Sequence, residues 1–174
     1  DAFTFTAWVN QGEDFLKANI KEYTRAFSSY IKEGYYMFVD FLLESSWVFI
    51  VALLVIPSLA FGGIRLAIFI LFGTMYWGMV GLWESSMETL ALMGLSVALS
   101  VIVGILLGVA CALSNRLERG MKPVLDTMQV MPAFVYLIPA MFFFGIGPAP
   151  AILATMIYSM PPIIRLTNLG IRQV

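Results

Sequence analysis

Residues 131–174 read MPAFVYLIPAMFFFGIGPAPAILATMIYSMPPIIRLTNLGIRQV. The segment carries two charged side chains and is long enough for two membrane crossings, yet it contains six prolines and three glycines. Proline lacks a backbone N–H and clashes with the preceding helical turn. In hydrocarbon the freed carbonyl needs another partner, so such breaks are tolerated where protein or a water-lined path surrounds them. The pattern therefore predicts the moving, pathway-facing part of a transporter.

The composition of the whole chain indicates an all-α polytopic membrane protein in contact with membrane lipid. Of its 174 residues, 60% are hydrophobic and 12% are charged, whereas soluble domains carry about 25% charged residues. Histidine is absent and Cys111 is the single cysteine, which excludes an intrachain disulfide framework and a Cys/His zinc site. We expect Cys111 to be packed in the interior. The net charge of −1, without a basic cluster, argues against nucleic acid as a partner.

The sequence does not predict an enzyme. Without histidine, a nucleophile–base–acid set would have to use lysine or carboxylates. Glu84 and Glu88 lie four residues apart at a predicted membrane edge and are interpreted as a solvated loop. No GxxxxGK[ST] phosphate-binding motif occurs. We therefore expect no cofactor in this chain, and any ATP hydrolysis must come from a partner.

Residues 1–45 are predicted to form an extracytoplasmic amphipathic helix in the membrane interface. Apolar side chains recur every three or four residues between Glu13 and Glu44, which marks one helical face, and charged side chains occupy the opposite face. Packing of this helix on another protein surface is the alternative. The apolar face comprises Leu16, Ile20, Tyr23, Phe27, Ile31, Tyr35, Phe38 and Leu42.

Residues 46–85 are predicted to form a transmembrane hairpin. The 38 residues from Ser46 to Trp83 are apolar apart from Arg65. As one helix they would rise about 57 Å, well beyond a hydrocarbon core of about 30 Å. We therefore expect a turn at Gly62-Gly63 and two short crossings, about 47–61 and 64–83.

Residues 86–174 are predicted to contain three further crossings, which brings the total to five. The first is the uncharged span Leu90–Leu113, preceded by the acidic connection Glu84–Glu88. A basic loop, Ser114–Lys122, leads to a crossing at about Val124–Phe144. An uncharged turn, 145–150, then precedes a last crossing at about 151–169, which is predicted to be broken at Pro161-Pro162.

Small residues recur every four positions along the span Leu90–Leu113. Such a stripe lets another helix approach closely, so it predicts helix packing. Its members are Ser100, Gly104, Gly108 and Ala112.

The distribution of basic residues predicts the orientation in the membrane. The connections 84–88 and 145–150 contain no basic residue. We therefore expect the amino-terminal segment outside and the carboxyl end in the cytoplasm, although residues 1–44 hold four basic side chains. The basic residues that would share the cytoplasmic side are Arg65, Arg116, Arg119, Lys122 and Arg172.

Several short motifs follow one another in the second half of the chain. They are Asp126-Thr-Met-Gln129, Pro132-Ala-Phe-Val-Tyr-Leu-Ile-Pro139, Phe144-Gly-Ile-Gly147, Pro161-Pro-Ile-Ile-Arg-Leu-Thr167 and Gly170-Ile-Arg-Gln-Val174. In this order the motifs resemble the permease subunit of the glycine betaine/proline betaine class of ABC importers. The similarity is strong from about Glu88 to Val174 and looser over the rest.

The resemblance implies a MetI-like permease core in the bacterial inner membrane and import of a quaternary ammonium solute by alternating access. It implies a second permease copy, two cytoplasmic ATPase subunits that use ATP and Mg, and an extracytoplasmic substrate-binding protein. In this family a coupling helix with an EAA…G motif follows the position of Val174, so the chain is expected to be a fragment ending before that helix. Arg172, Gln173 and Val174 would lie on the ATPase-coupling side.

Prolines and aromatic side chains are the candidates for hinges and for the translocation path, because ring faces attract quaternary ammonium groups. Lipid contact or ordinary packing is the alternative for the aromatic residues. Asp126 is expected either at a helix start, where it would complement the dipole, or in a gating network. Arg165 would either snorkel to the cytoplasmic interface or pair with a neighbouring subunit. The path and hinge candidates are Pro132, Phe134, Tyr136, Pro139, Phe143, Tyr158, Pro161 and Pro162.

Two other functions stay open at this point. A secondary transporter or channel is disfavoured because the spans lack carboxylates for ion coupling and show no internal repeat. A membrane scaffold would have no need of proline-broken spans. Among solutes, the sequence does not separate glycine betaine, proline betaine, choline, carnitine and trimethylamine N-oxide.

Overall fold

In the computed structural model, which describes residues 24–173, every regular element is an α-helix. Contacts divide the chain into two compact units. One comprises residues 34–94; the other comprises residues 95–173 together with residues 24–33. The helices are α1 (24–44), α2 (Trp47–Val80), α3 (Trp83–Leu113), α4 (Asn115–Val130), α5 (Phe134–Phe144) and α6 (Pro148–Arg172).

Helix α2 is interrupted at Gly63, where the backbone has φ 75° and ψ −179°. Only glycine adopts this conformation readily, which explains why the break falls there. Ser58 and Ala67 are buried on either side of the break, and Ile50 and Thr74 are buried farther out. Burial at similar sequence distances before and after Gly63 is expected if the two halves of α2 face each other. The break at Gly63 lies within the predicted turn Gly62-Gly63; a hairpin with two separate crossings stays a prediction.

A turn at Gly81 and Leu82 separates α2 from α3. The Gly81 N–H donates to the carbonyl of Gly78, and the Leu82 N–H donates to that of Trp77. These bonds satisfy carbonyl groups at the end of α2 that have no intrahelical donor. The prediction of an acidic connection at Glu84–Glu88 was therefore wrong, because α3 already begins at Trp83.

Helix α1 buries one face within the protein. Ile31, Tyr35, Val39 and Leu42 are buried, and the ring of Phe38 lies so close to α3 that a Cβ added at Gly94 would be 2.8 Å from it. Burial within the protein agrees with the packing alternative; a place in the membrane interface stays a prediction. The predicted positions Leu16, Ile20 and Tyr23 lie outside the described residues.

Residues 115–122 are helical, so the prediction of a basic loop at Ser114–Lys122 was wrong. The hydroxyl of Ser114 accepts a hydrogen bond from the N–H of Leu117 at 3.4 Å and caps the start of α4. Apolar side chains of α4 then pack against α3 and α6. They are Met121, Leu125 and Met128, which contact a cluster containing Cys111 and Ile164.

The predicted crossing at Val124–Phe144 is divided between two helices, α4 and α5, which are bent by 97° at the break between them. A single crossing formed by this bent pair stays a prediction. Proline disfavours helical conformation in the residue before it. Accordingly Met131, which precedes Pro132, is extended with φ −77° and ψ 132°. The turn between α5 and α6 uses positive φ at Gly145 and Gly147.

Helix α6 runs without interruption through Pro161-Pro162, so the predicted break at these prolines was wrong. Within a membrane, neighbouring helices and hydroxyl side chains can satisfy backbone groups near a proline. The two prolines remove the helical donors of the Ile157 and Tyr158 carbonyls. The hydroxyls of Ser159 and Ser100 lie 3.1 Å and 3.3 Å from the neighbouring carbonyl oxygen, that of Met156. Pro161 is fully buried, and packing supports the helix at this point.

Among residues 24–173, three helices are long and apolar enough to cross a membrane: α2, α3 and α6. The bent pair α4–α5 would make a fourth crossing if it counts as one span. Five crossings would require the two halves of α2 to cross separately, which stays a prediction.

Candidate functional site

The small-residue stripe of α3 lies against α6. The hydroxyls of Ser100 and Ser159 are 2.6 Å apart. A Cβ added at Gly104 would lie 2.8 Å from Ile163, and one added at Gly108 would lie 2.5 Å from Thr167. The two helices therefore approach so closely that side chains larger than hydrogen do not fit at these glycines. Ala112, the last member of the stripe, is half-buried.

The path and hinge candidates of α5 are largely exposed within this chain. Pro132 lies at the bend between α4 and α5, and Pro139 lies exposed inside α5. Phe134 is 73% exposed. The hydroxyl of Tyr136 donates to the carbonyl of Met128 at 3.0 Å and thereby satisfies one of the last carbonyls of α4.

The remaining path candidates do not converge on one pocket. Phe143 stacks edge-on against Phe142 with ring centroids 5.2 Å apart. On α6, Tyr158 and Pro162 are exposed, whereas Pro161 is buried. Side chains exposed on one chain are free to face lipid, a second copy or an aqueous path, so the path assignment of these residues stays a prediction.

A groove of about 370 Å³ lies where α4 crosses the last turns of α6, beside the end of α3. Its floor is apolar and its rim carries both carboxylates and cations, so charges of opposite sign face each other across two helices. The predicted path candidates are not among its lining residues. Those are Cys111, Glu118, Met121, Lys122, Leu125, Asp126, Ile164, Arg165, Asn168, Leu169 and Arg172.

The carboxylate of Glu118 is the centre of the larger charge cluster. It is 3.1 Å from the ammonium of Lys122 and 3.1 Å from the guanidinium of Arg172. The side-chain amide of Asn168 donates to it at 3.3 Å. Three donors from two helices thus converge on one carboxylate, which is 19% exposed. Opposite charge and hydrogen bonding both stabilise its ionised form.

Asp126 and Arg165 form a second ion pair, which links α4 to α6. Asp126 lies well inside α4, which begins at Asn115, so the predicted helix-start role was wrong. Arg165 finds its partner in the same chain, so neither snorkelling alone nor a neighbouring subunit is needed to explain it. Both side chains are substantially exposed, at 65% and 43%.

The sequence alone did not reveal the cluster around Glu118. One signal was present: Glu118 and Lys122, and likewise Asn168 and Arg172, are four residues apart and therefore share a helical face. The approach of these two faces depends on the packing of α4 against α6.

At the opposite end of α6, the first turns of α1 contact the turn between α5 and α6. The hydroxyl of Ser28 donates to the carbonyl of Phe144 at 3.4 Å, and the rings of Phe27 and Phe144 are 5.9 Å apart. The aliphatic end of Lys32 lies beside Gly147. These contacts fix the uncharged turn 145–147 within its unit.

Residues 100–174 match the family described as "Binding-protein-dependent transport system inner membrane component". The matched segment contains the small-residue stripe of α3, the bent pair α4–α5, the groove and both ion-pair clusters. With the apolar helices, this match makes the chain part of a multi-pass inner membrane protein.

Three relatives extend the comparison. The Escherichia coli glycine betaine/proline betaine transport system permease protein ProW is 34% identical over 97% of this chain and 48% of its own length. The Bacillus subtilis glycine betaine transport system permease protein OpuAB is 46% identical over 63% of this chain and 39% of its own length. The Listeria monocytogenes glycine betaine/carnitine transport permease protein GbuB is 53% identical over 53% of this chain and 33% of its own length.

These matches confirm the resemblance to glycine betaine/proline betaine permeases. The chain spans less than half the length of each of the three relatives.

Proposed function

We propose that this chain is part of the permease subunit of an ATP-driven importer and contributes to the translocation path for a quaternary ammonium osmolyte. The relatives support the class of solute, because their names specify glycine betaine, proline betaine and carnitine transport. The observation that carries the path assignment is the bent pair α4–α5. An amphipathic helix, α4, and an apolar helix, α5, are separated at Pro132 and bent by 97°, a shape unsuited to a simple lipid anchor.

The mechanism is alternating access around these breaks. Helix α5 lies between two non-helical points, residues 131–133 and residues 145–147, so its tilt can change without unfolding a helix. ATP binding in partner subunits would bring the cytoplasmic ends of two permeases together and bias the equilibrium between outward- and inward-open states. Exposed rings such as Phe134 and Phe143 would contact the trimethylammonium group weakly, as rapid release requires.

The partners follow from this mechanism. Two cytoplasmic ATPase subunits hold ATP and Mg, a second permease copy completes the path, and an extracytoplasmic binding protein delivers the solute. The carboxyl end of α6, with Arg172 and Gln173, faces the ATPase, and the amino-terminal segment lies outside. The contact between Arg172 and Glu118 supports this orientation, because it places the basic start of α4 beside the end of α6.

A chimaera tests the function. This chain would replace the matched segment of the Escherichia coli relative, and the product would be expressed with that system's binding protein and ATPase in cells without their own betaine importers. We expect accumulation of radiolabelled glycine betaine that stops when either partner is omitted. A chimaera that is present in the membrane but imports no betaine, choline, carnitine or trimethylamine N-oxide would overturn the proposal. Uptake that continues without the ATPase would instead favour a secondary transporter or channel.

A further inference from the structure

Arg172 is bonded to three helices at once. Its Nη2 lies 3.0 Å from the carbonyl oxygen of Cys111 in α3 and 3.1 Å from Oε2 of Glu118 in α4. Its Nε donates to the side-chain oxygen of Asn168, one turn earlier in α6, at 2.9 Å. The guanidinium therefore joins the end of α3, the start of α4 and the end of α6.

The contacts around Arg172 close into a ring. Arg172 bonds to Asn168, the amide of Asn168 donates to Oε1 of Glu118, and Oε2 of Glu118 bonds back to Arg172. Both polar atoms of the Asn168 amide are thereby used, which fixes its orientation. Lys122 adds a further donor to Glu118 from within α4. The ring is only partly open to solvent, since Glu118 is 19% and Arg172 33% exposed.

An arginine is needed for this arrangement. The last carbonyls of a helix have no intrahelical donor, and Cys111 lies in the last turn of α3. A guanidinium presents several donors in one rigid plane, whereas a lysine ammonium is a single point on a flexible stem. Lysine at position 172 would reach Glu118 or the Cys111 carbonyl, but it would not hold both together with Asn168.

We propose that Arg172 is a positioning residue that holds the ends of α3, α4 and α6 together, so that movement driven by the ATPase reaches all three helices as one step. This inference rests on the proposed transport function. Without the ring, α6 would still move with the ATPase, but α3 and α4 would follow incompletely. ATP would then be hydrolysed without a matching movement of solute, so the ratio of solute imported to ATP hydrolysed would fall.

The test uses the complete importer built on the chimaera and reconstituted in liposomes. Radiolabelled glycine betaine and binding protein are supplied on the extracytoplasmic side, and ATP is supplied on the side of the ATPase. Arg172→Gln is expected to lower the number of solute molecules imported per ATP by about tenfold. Losing a hydrogen bond to a charged group would reduce by about this factor the population in which the three helix ends are held together. Arg172→Lys and Asn168→Ala should give intermediate ratios. Glu118→Gln should lower the ratio in the same way, and the double variant with Arg172→Gln should be no worse than either single variant.

The matched control is Arg116→Gln, which removes a cation from the same region. Among the described residues, Arg116 has no ion-pair partner. It should leave the ratio unchanged. The ratio also separates positioning from simple stability, because loss of assembled importer lowers uptake and hydrolysis together.

The outcomes are distinct. An importer that transports glycine betaine with an unchanged ratio in Arg172→Gln would overturn the positioning role and leave the proposed function intact. No transport by the unsubstituted importer would overturn both. If Arg172→Gln fails to assemble, the ratios of Arg172→Lys and Asn168→Ala decide, and wild-type ratios in both would count against the proposal.

Discussion

Replacing Gly108 by alanine should weaken the contact between α3 and α6. A Cβ at this position would lie 2.5 Å from Cβ of Thr167 and 3.0 Å from the carbonyl oxygen of Ile164. Neither atom can move away by rotating a side-chain bond, so the helices would have to separate. Overpacking costs about 1–3 kcal/mol, and each kcal/mol lowers the melting temperature by about 2–4 °C at this size, so a drop of about 2–12 °C is expected.

The chain's only cysteine provides the assay. Cys111 is 2% exposed, so a thiol-reactive fluorescent dye would report unfolding of the purified protein in detergent. Gly104→Ala should melt at a higher temperature than Gly108→Ala, because its new Cβ meets the side chain of Ile163 rather than a backbone atom. Gly120→Ala is the control, since a Cβ there meets nothing within 4 Å.

The control should melt at or above the wild-type temperature, because alanine favours helix over glycine by about 0.5–1 kcal/mol. If Gly108→Ala melts with the wild type while Gly120→Ala behaves as stated, the close approach of α3 and α6 is refuted.

Three further predictions use the same protein. Asp126→Asn or Arg165→Gln should lower the melting temperature by at most about 4 °C, because an exposed ion pair contributes about 0–1 kcal/mol; a larger drop would show a buried pair. Ser100→Ala should cost about 1 kcal/mol or more, because it removes a buried hydroxyl that contacts the Ser159 hydroxyl and the carbonyls of Ser96 and Met156, and an unchanged dye-melting curve would contradict this. Pro132→Ala should lower coupled glycine betaine uptake relative to ATP hydrolysis if the break between α4 and α5 acts as a hinge, and undiminished uptake would count against that role.

The helical fold was predictable because the sequence contains long apolar runs whose ends are marked by glycine and proline. Gly63 breaks α2 where Gly62-Gly63 predicted a turn, and Pro132 separates α4 from α5. Residues 115–122 were misread because their charges suggested a loop. Their apolar positions, Leu117, Met121 and then Leu125, recur every four residues and were the signal of a helix.

The candidate site was less predictable. Pro161-Pro162 predicted a break, but α6 is continuous and Pro161 is fully buried in its packing, which no local pattern reveals. The stripe of α3 predicted a close helix contact without identifying α6 as the partner. The ring around Arg172 depends on the meeting of three helix ends, so it required the tertiary structure.

Helix α5 has eleven residues. Its rise of about 16 Å is about half the ~30 Å thickness of a hydrocarbon core. If α5 stands across the hydrocarbon core, at least one of its ends lies at a depth where acyl chains offer no hydrogen bonds to the backbone. Water or another protein surface must then reach that depth, and in the proposed permease a solute following the water would have only a short dry barrier left to cross.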